Sequence, residues 1–460
     1  MINSRVTNIQ NIRNNIIPYM TSWILSYAWI VLFFTWWVND FKNSFIFEGN
    51  DICAIYVLFL IFLSLFSFVV CPQRFDKYAK IGGIGSVLIM IAVYILHDVS
   101  LGKNVVFILP IFVALFFISL LHIFIYIMNN TEKLYSMIIS NFILISIVIL
   151  QDLHIIDIFN NYIFMIVMFA LSLIPIIKFN KEDYKSEEDK YLLKAPKISK
   201  ILYISLIINC IFLVLCRGVG RAFLLMANDM YPFNLEIYYY AGGFVGCIII
   251  FILYSYFKKC NIVCWNIVFS SFILAAFIYL LPSTEIIKNI FAFVLGFGIM
   301  IGINIMYYTL GVISKKYWDF SYVKFNILII ALVGCGFGTI FGKFVYTMNV
   351  SSLIVLTISV VVMIILLIVS PYLMATFFND KWTEDSIMAS IDNENIRKLS
   401  NYGFTVKEME VCNCVLNNLT VRQIAAQMNI SENTVKFHKK QIFKKLDINS
   451  KEELIKIIEN

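Results

Sequence analysis

Long apolar runs follow one another along the first four fifths of the chain, and short amphipathic segments follow them after residue 378. Roughly 20 apolar residues in a helix are needed to cross the hydrocarbon of a membrane. Applied along the sequence, that length predicts an all-α protein with a twelve-helix transmembrane bundle and a small soluble helical domain after it. The predicted spans are residues 18–38, 51–72, 81–97, 104–128, 136–151, 158–177, 201–226, 237–257, 262–281, 288–314, 322–346 and 352–378.

The composition supports a protein that is built mostly for a lipid bilayer. Of the 460 residues, 60% are apolar and only 14% are charged, whereas soluble domains have roughly 45–50% apolar and about 25% charged residues. The ten cysteines form no Cys-x-x-Cys pair and have no set of histidine partners, so we predict packing cysteines and no metal site. No nucleophile–base pair or nucleotide-binding motif is present either, so we predict no catalysis and no cofactor.

The distribution of positive charge predicts the orientation of the bundle. The segments that face one side, if the N-terminus is cytoplasmic, hold eighteen Lys and Arg residues, and the opposite segments hold three. Because cytoplasmic loops are enriched in Lys and Arg, both termini are predicted to be cytoplasmic. The protein is therefore expected to be a multi-pass protein of the plasma (inner) membrane.

A charged segment in the middle of the chain, residues 178–200, divides the predicted spans into two groups of six. Between the second and third spans lies "PQRFDKYAK", residues 72–80, which resembles the loop signature of the major facilitator superfamily, Gly-x-x-x-Asp-Arg-x-Gly-Arg. Asp76, Lys77 and Lys80 match in kind, while Pro72 and Ala79 replace the glycines. This resemblance implies a major-facilitator-like bundle over residues 1–378.

The soluble part begins with a polar connector, predicted over residues 379–403, and continues as four short helices over residues 404–460. Ser/Thr-x-x-Glu/Gln capping boxes indicate the helix starts. A short turn at residues 428–431 separates the second and third helices, as in a helix-turn-helix unit. Apolar residues at helical spacing predict a core of Val411, Val415, Leu419, Ile424, Ala425, Met428, Val435, Ile442 and Leu446.

The third of these helices carries a row of polar and basic side chains on its outward face. Asn433, Lys436 with Phe437, Lys440 and Lys444 recur at helical spacing. Such a row neutralises DNA phosphates, and the second helix of a helix-turn-helix unit lies in the major groove. A lysine row is also typical of a solvated face, or of a surface that contacts anionic lipid.

Residues 404–454 closely resemble the LuxR-type DNA-binding domain without gaps. The matching positions are Thr405, Glu408, Glu410, Val411, Thr420, Ile424, Ala425, Ile430, Ser431, Thr434, Val435, Lys436, His438, Ile442, Lys445 and Leu446. By this resemblance Thr434, Val435 and Lys436 approach DNA, the fourth helix pairs two domains, and the host is a bacterium.

Asn418 and Asp447 replace glycines of the family, and both residue types tolerate the left-handed conformation of a helix C-cap. For His438, packing or capping is a better explanation than a catalytic role. The predicted DNA-binding residues are Asn433, Thr434, Val435, Lys436, His438, Lys440 and Lys444.

Two arginines in the seventh predicted span are the strongest candidates for ligand contact inside the membrane. Arg217 falls near mid-bilayer and Arg221 lies one turn further out on the same helix face. Charged groups at membrane depth are functional candidates, and two cations suit an anionic ligand such as a carboxylate. The alternative is that Arg221 reaches the outer surface and Arg217 pairs with a polar neighbour.

Together these patterns predict a membrane-embedded, one-component transcription regulator. Its bundle senses a small molecule, and its tail binds promoter DNA as a homodimer formed through the DNA-binding domain. The alternative is a secondary transporter of the major facilitator type with a regulatory DNA-binding tail. The scarcity of carboxylates inside the predicted spans argues against proton-coupled transport.

Overall fold

The computed structural model is helical in every regular element that it describes. The residues that the structure describes are 9–33, 49–69, 74–96, 104–153, 155, 162–177, 200–230, 234–256, 260–281, 284–317, 344, 352–379, 408, 411–412, 414–415, 420–428, 431–448, 450 and 453–454. Their contacts divide the chain into two compact units, Met1–Glu384 and Asp385–Asn460.

The first half of the membrane unit contains six helices. They are α1 (Ile17–Val31), α2 (Gly49–Val69), α3 (Phe75–Ile95), α4 (Leu109–His122, continued by a π-helical turn at Ile123–Ile127), α5 (Asn130–Asp152) and α6 (Tyr162–Ile177). The second half has α7 (Lys200–Met230), α8 (Leu235–Tyr256), α9 (Cys260–Leu280), α10 (Glu285–Tyr317) and α11 (Ser352–Asn379).

These helices confirm the predicted all-α architecture. Eleven of the twelve predicted spans overlap them. The remaining span, 322–346, lies outside the described residues apart from position 344. In the described part of the chain, seven helices are long and apolar enough to cross a membrane, and three shorter apolar helices accompany them.

The packing of the second half repeats that of the first. Helix α4 packs against α2 and α3, and α10 packs against α8 and α9. Helix α6 packs against α1 and α3, and α11 packs against α7 and α9 in the same way. The two halves meet where α5 packs against α8 and α10.

Glycines allow the tightest of these helix crossings. A Cβ atom on Gly242 of α8 would collide with the backbone of Phe293, and one on Gly296 of α10 would collide with the backbone of Tyr239. Helices in membranes commonly associate through small residues because these let the backbones approach closely. The α8–α10 contact therefore depends on two glycines that face each other's helix.

Two segments that we predicted as connections between spans are helical in the structure. Helix α3 begins at Phe75, inside the segment predicted as the loop 73–80, with Asp76 buried in its first turn. Helix α5 begins at Asn130 because Asn129 and Glu132 form a capping box: the Glu132 N–H donates to Asn129 Oδ1 at 2.8 Å, and the Asn129 N–H donates to Glu132 Oε2 at 2.7 Å. Hydropathy missed both starts because they carry charged residues.

The second unit contains α12 (Val421–Met428) and α13 (Glu432–Leu446) with shorter helical segments around them. Seven of the nine predicted core residues are buried, and Leu419 and the side chain of Met428 lie outside the description. Burial raises the pKa of the Cys412 thiol to about 12, so this cysteine packs as an apolar residue. The buried cluster consists of Val411, Cys412, Cys414, Val415, Ile424, Ala425, Val435, Ile442, Leu446, Ile448 and Leu454.

Candidate DNA-binding surface and polar groups of the membrane bundle

Helix α13 starts and ends at well-formed caps. The Thr434 N–H donates to the Ser431 hydroxyl at 3.1 Å, which satisfies one of the free donors at the helix start. At the other end Asp447 adopts the left-handed conformation, with φ 53° and ψ 47°. The prediction that Asp447 adopts the left-handed conformation, where the family has glycine, is therefore confirmed.

The outward face of α13 carries the predicted basic row in solvent. Lys436, Lys440 and Lys444 are all exposed, and Asn433 at the start of the helix is exposed as well. Phe437 lies beside Lys436 and is 57% exposed, which is unusual for a phenylalanine. This face offers positive charge and one apolar group to a partner.

The other predicted DNA-binding residues are less accessible. Thr434 and His438 are half-buried, and the ring of His438 meets the edge of Phe437 at a centroid distance of 5.7 Å. Val435 is fully buried among the core residues. Its side chain therefore holds α13 on the domain core and is not available to touch DNA, because the same helical period that exposes Lys436 turns Val435 inward.

Two further lysines of α13 are occupied within the domain. Lys445 Nζ donates to Glu408 Oε2 at 2.7 Å, and the Glu408 side chain is only 7% exposed. Lys439 Nζ lies 5.3 Å from the centre of the Phe443 ring. Neither lysine belongs to the outward row that helical spacing predicted, although all five lysines lie on one helix.

In the membrane unit, Arg221 of α7 is paired with a carboxylate. Its Nη1 donates to Glu236 Oε2 of α8 at 2.8 Å, and its guanidinium carbon lies 5.7 Å from the centre of the Tyr239 ring. Both Arg221 and Glu236 are partly buried. Arg217, one turn earlier on the same helix, is half-buried. Sequence analysis missed Glu236 as the partner because it lies at the start of the next helix.

Buried amides connect the two halves of the bundle deeper inside. Asn141 of α5 donates through Nδ2 to Asn304 Oδ1 of α10 at 3.1 Å, and both side chains are inaccessible to solvent. Trp23 of α1 is fully buried and stacks on Phe124 at 4.3 Å between ring centres. These groups pack the interface between the halves.

The described residues hold no group of three or more His, Cys, Asp or Glu side chains placed to bind a metal ion.

Comparison with known proteins identifies the two units separately. Residues 403–458 match the family described as "Bacterial regulatory proteins, luxR family", so the C-terminal domain is a LuxR-type helix-turn-helix domain. Among curated proteins none matches the chain in sequence.

The membrane unit is similar in fold to solved transporter structures. The fucose:proton symporter of E. coli superimposes with a TM-score of 0.52 at 14% identity, over 78% of this chain and 99% of the symporter. A bacterial homologue of the iron transporter ferroportin gives a TM-score of 0.54 at 11% identity, over 80% of this chain and 100% of that chain. At these identities the likeness establishes a major-facilitator-like fold, and the protein is a multi-pass membrane protein with a LuxR-type DNA-binding domain on the same chain.

Proposed function

We propose that this protein is a one-component transcription regulator that senses a small molecule through its membrane bundle and binds promoter DNA through its C-terminal domain. The observation that carries the proposal is the exposed row of Lys436, Lys440 and Lys444 on the second helix of a LuxR-type helix-turn-helix unit. Because this unit and a major-facilitator-like bundle share one chain, a signal can pass from membrane to DNA without a second protein. The domains proposed for this role are residues 1–378, the connector 379–403 and residues 404–460.

In this proposal the helix start of α13 reads DNA and the lysine row anchors it. Asn433 and Thr434 lie in the first turn, the part of a recognition helix that contacts base edges. Lys436, Lys440 and Lys444 contact phosphates or bases along the groove, and His438 lies beside them. Phe437 adds an apolar surface of the kind that contacts thymine methyl groups. LuxR-type domains of two protomers bind the site as a homodimer.

The ligand is proposed to bind near Arg217 and Arg221 in α7. Arg221 also forms an ion pair with Glu236, and Arg217 lies one turn away on the same helix. A charge retained at membrane depth costs at least about 2.5–3.5 kcal/mol on insertion scales. A partner or an anionic ligand offsets that cost, and this supports the assignment of Arg217 to sensing.

The excess of Lys and Arg in the segments on one side of the predicted spans supports a proposed orientation with both termini in the cytoplasm of a bacterial cell, where the tail can reach the chromosome. Reporter fusions after residues 185 and 400 are expected to report the cytoplasm, and a fusion near residue 230 the exterior. An exterior signal at residue 400 would exclude DNA binding by the full-length protein.

The alternative is a secondary transporter whose tail regulates transcription, and the fold shared with the fucose:proton symporter favours it. One comparison separates the two functions. Transcripts of a deletion strain are compared with those of a strain that carries Lys436→Ala, Lys440→Ala and Lys444→Ala in the chromosomal gene. A regulator predicts the same changed transcripts in both strains. A transporter whose main role is uptake predicts changes in the deletion strain that are absent from the triple variant.

A further inference from the structure

Two buried lysines at one end of the bundle connect its halves reciprocally. Lys133, in the first turn of α5, donates through Nζ to the carbonyl of Gly311 in α10 at 3.0 Å. Lys315, in the last turn of α10, donates through Nζ to the carbonyl of Met128, just before α5, at 3.1 Å. Lys133 is fully buried and Lys315 is 5% exposed. Each half therefore supplies a cation to a backbone carbonyl of the other half.

The acceptor on the first half is a helix end whose carbonyls need donors. Helix α4 ends in the π-helical turn Ile123–Ile127, and Met128 then leaves the helix with φ −69° and ψ 141°. The last carbonyls of a helix have no donor within it and lie at the negative end of the helix dipole. Lys315 donates to one of them, and Arg13 Nη2 donates to the carbonyl of Ile127 at 2.6 Å.

The N-terminal segment before α1 is bound to the same corner. Arg13 donates to both carboxylate oxygens of Glu132, with Nε 3.0 Å from Oε1 and Nη2 2.9 Å from Oε2. Asn129 Nδ2 donates to the carbonyl of Asn11 at 2.8 Å. Hydrogen bonds thus join the N-terminal segment to the end of α4 and the start of α5. The end of α10 packs against this corner.

Close approach at this corner requires a glycine on α10. A Cβ atom at Gly311 would lie 2.8 Å from Cε1 of Phe124 and 3.4 Å from Cδ of Lys133. The first distance is shorter than atoms tolerate, and Phe124 is itself packed against Trp23. A side chain at position 311 would therefore push the two halves apart.

We propose that Lys133, Lys315 and Gly311 form a clamp that holds the two halves closed at the cytoplasmic end. Opening of this clamp changes transcription from the promoter that the DNA-binding domain occupies. The proposal rests on the proposed regulatory function and on the orientation that puts this end in the cytoplasm. Halves of such bundles rock against each other as rigid bodies. Any rocking that opens this end separates both lysines from their carbonyls, so a ligand that favours one arrangement sets the state of the clamp.

The test measures opening in membrane vesicles and transcription in cells that produce the same protein. Ser314, one turn from Gly311 and 3% exposed, is changed to cysteine in the full-length protein as a reporter of opening. The rate at which a water-soluble maleimide alkylates this introduced thiol is measured in inside-out membrane vesicles. Labelling of the native cysteines is measured in the protein that keeps Ser314 and is subtracted. The protein with Ser314→Cys alone is the parent for all comparisons. Transcription is read from a promoter that the full-length protein occupies. The test variants are Lys315→Met and Gly311→Ala, since methionine keeps the length of the side chain and replacement of a buried ion by an apolar group is often tolerated.

The matched control is Lys288→Met. Lys288 is 3% exposed and donates to the carbonyl of Tyr279 at 2.8 Å, the same chemistry as the clamp. Both of its helices, α9 and α10, belong to the second half, so its loss leaves the contact between halves unchanged. It also lies at the opposite end of α10.

The clamp predicts that alkylation at position 314 rises roughly tenfold or more in both variants. Lys315→Met removes the hydrogen bond to Met128, and Gly311→Ala separates Lys133 from the carbonyl of residue 311. One hydrogen bond from a charged group shifts an equilibrium by about that factor. The control is expected to keep the parental rate, and transcription is expected to shift only in the two test variants. Unchanged alkylation in either variant, present at parental abundance, would overturn the clamp. If one variant fails to accumulate, the other decides. Faster alkylation with unchanged transcription would overturn the clamp's role in transcription. If the parent itself occupies no promoter, the proposed function is overturned instead.

Discussion

The lysines of α13 and those of the membrane bundle are the same residue in opposite environments. Lys436, Lys440 and Lys444 are exposed to water on a surface helix. Lys133 and Lys315 are buried, and each donates to a backbone carbonyl across the interface between the halves. An exposed lysine keeps its hydration and remains available for a phosphate, whereas a buried lysine must find acceptors inside the protein.

The difference assigns two kinds of function to one chemical group. On the surface, positive charge provides affinity for a partner outside the molecule and depends strongly on salt. In the interior, positive charge fixes which backbone segments lie together, and salt has little access to it. The following predictions test that division, beginning with the largest expected effect.

Removal of the exposed row is expected to abolish most DNA affinity. In residues 385–460, the combined change Lys436→Ala, Lys440→Ala and Lys444→Ala should weaken promoter binding on the order of a hundredfold and lower the salt slope by about 3, because each phosphate contact releases counterions. Fluorescence anisotropy at several salt concentrations measures both quantities. Lys445→Ala is the control, since Lys445 is engaged with Glu408, and it should keep the salt slope. Equal slopes for the triple variant and the parent would contradict the assigned surface.

Arg217→Leu tests a cation inside the membrane. If Arg217 contacts an anionic ligand, the full-length variant should insert normally and bind the ligand roughly tenfold more weakly or worse, since a hydrogen bond to a charged group contributes about 1.5–3 kcal/mol. Dose–response curves with candidate carboxylate ligands in a reporter strain measure the shift. A normal response at normal protein abundance would remove Arg217 from the ligand site.

Glu408→Gln tests the lysine of α13 that serves the domain itself. Loss of the ion pair with Lys445, whose oxygen and nitrogen are 2.7 Å apart, should lower the free energy of unfolding of the C-terminal unit by about 1 kcal/mol, a modest cost because Lys445 is partly exposed. Urea unfolding followed by circular dichroism measures it. The corresponding change at an exposed carboxylate of the same domain, Glu432→Gln, should have a smaller effect.

Asp447→Gly is expected to produce the smallest change. The left-handed backbone at Asp447, with φ 53°, costs a residue with a Cβ atom more than it costs glycine. We expect a gain of roughly 0.5 kcal/mol, or about 2–4 °C in Tm for a domain of this size. Calorimetry of the C-terminal unit is sufficient, and a lower Tm would show that the Asp447 side chain stabilises the cap in another way.

The two regions also differed in how far sequence predicted them. In α13 the signals are local: Ser431 caps the helix, and the spacing that buries Val435 exposes Lys436. The spans were predicted from hydropathy, yet the starts of α3 and α5 were not, because Asp76 and Glu132 are charged residues that the fold buries. The pairs Arg221–Glu236 and Lys133–Gly311 depend on which helices pack together. Composition and spacing carry no information about such contacts.

Genome-wide DNA occupancy of the full-length, membrane-embedded protein tests the central claim most directly. Cells that produce the tagged wild-type chain and cells that produce the triple variant Lys436→Ala, Lys440→Ala and Lys444→Ala are cross-linked, and the DNA bound to the membrane fraction is sequenced. We predict discrete peaks at promoters for the wild type and their loss in the triple variant at equal protein abundance. Peaks that persist in the triple variant, or a wild-type chain that enriches no promoter, would contradict the account.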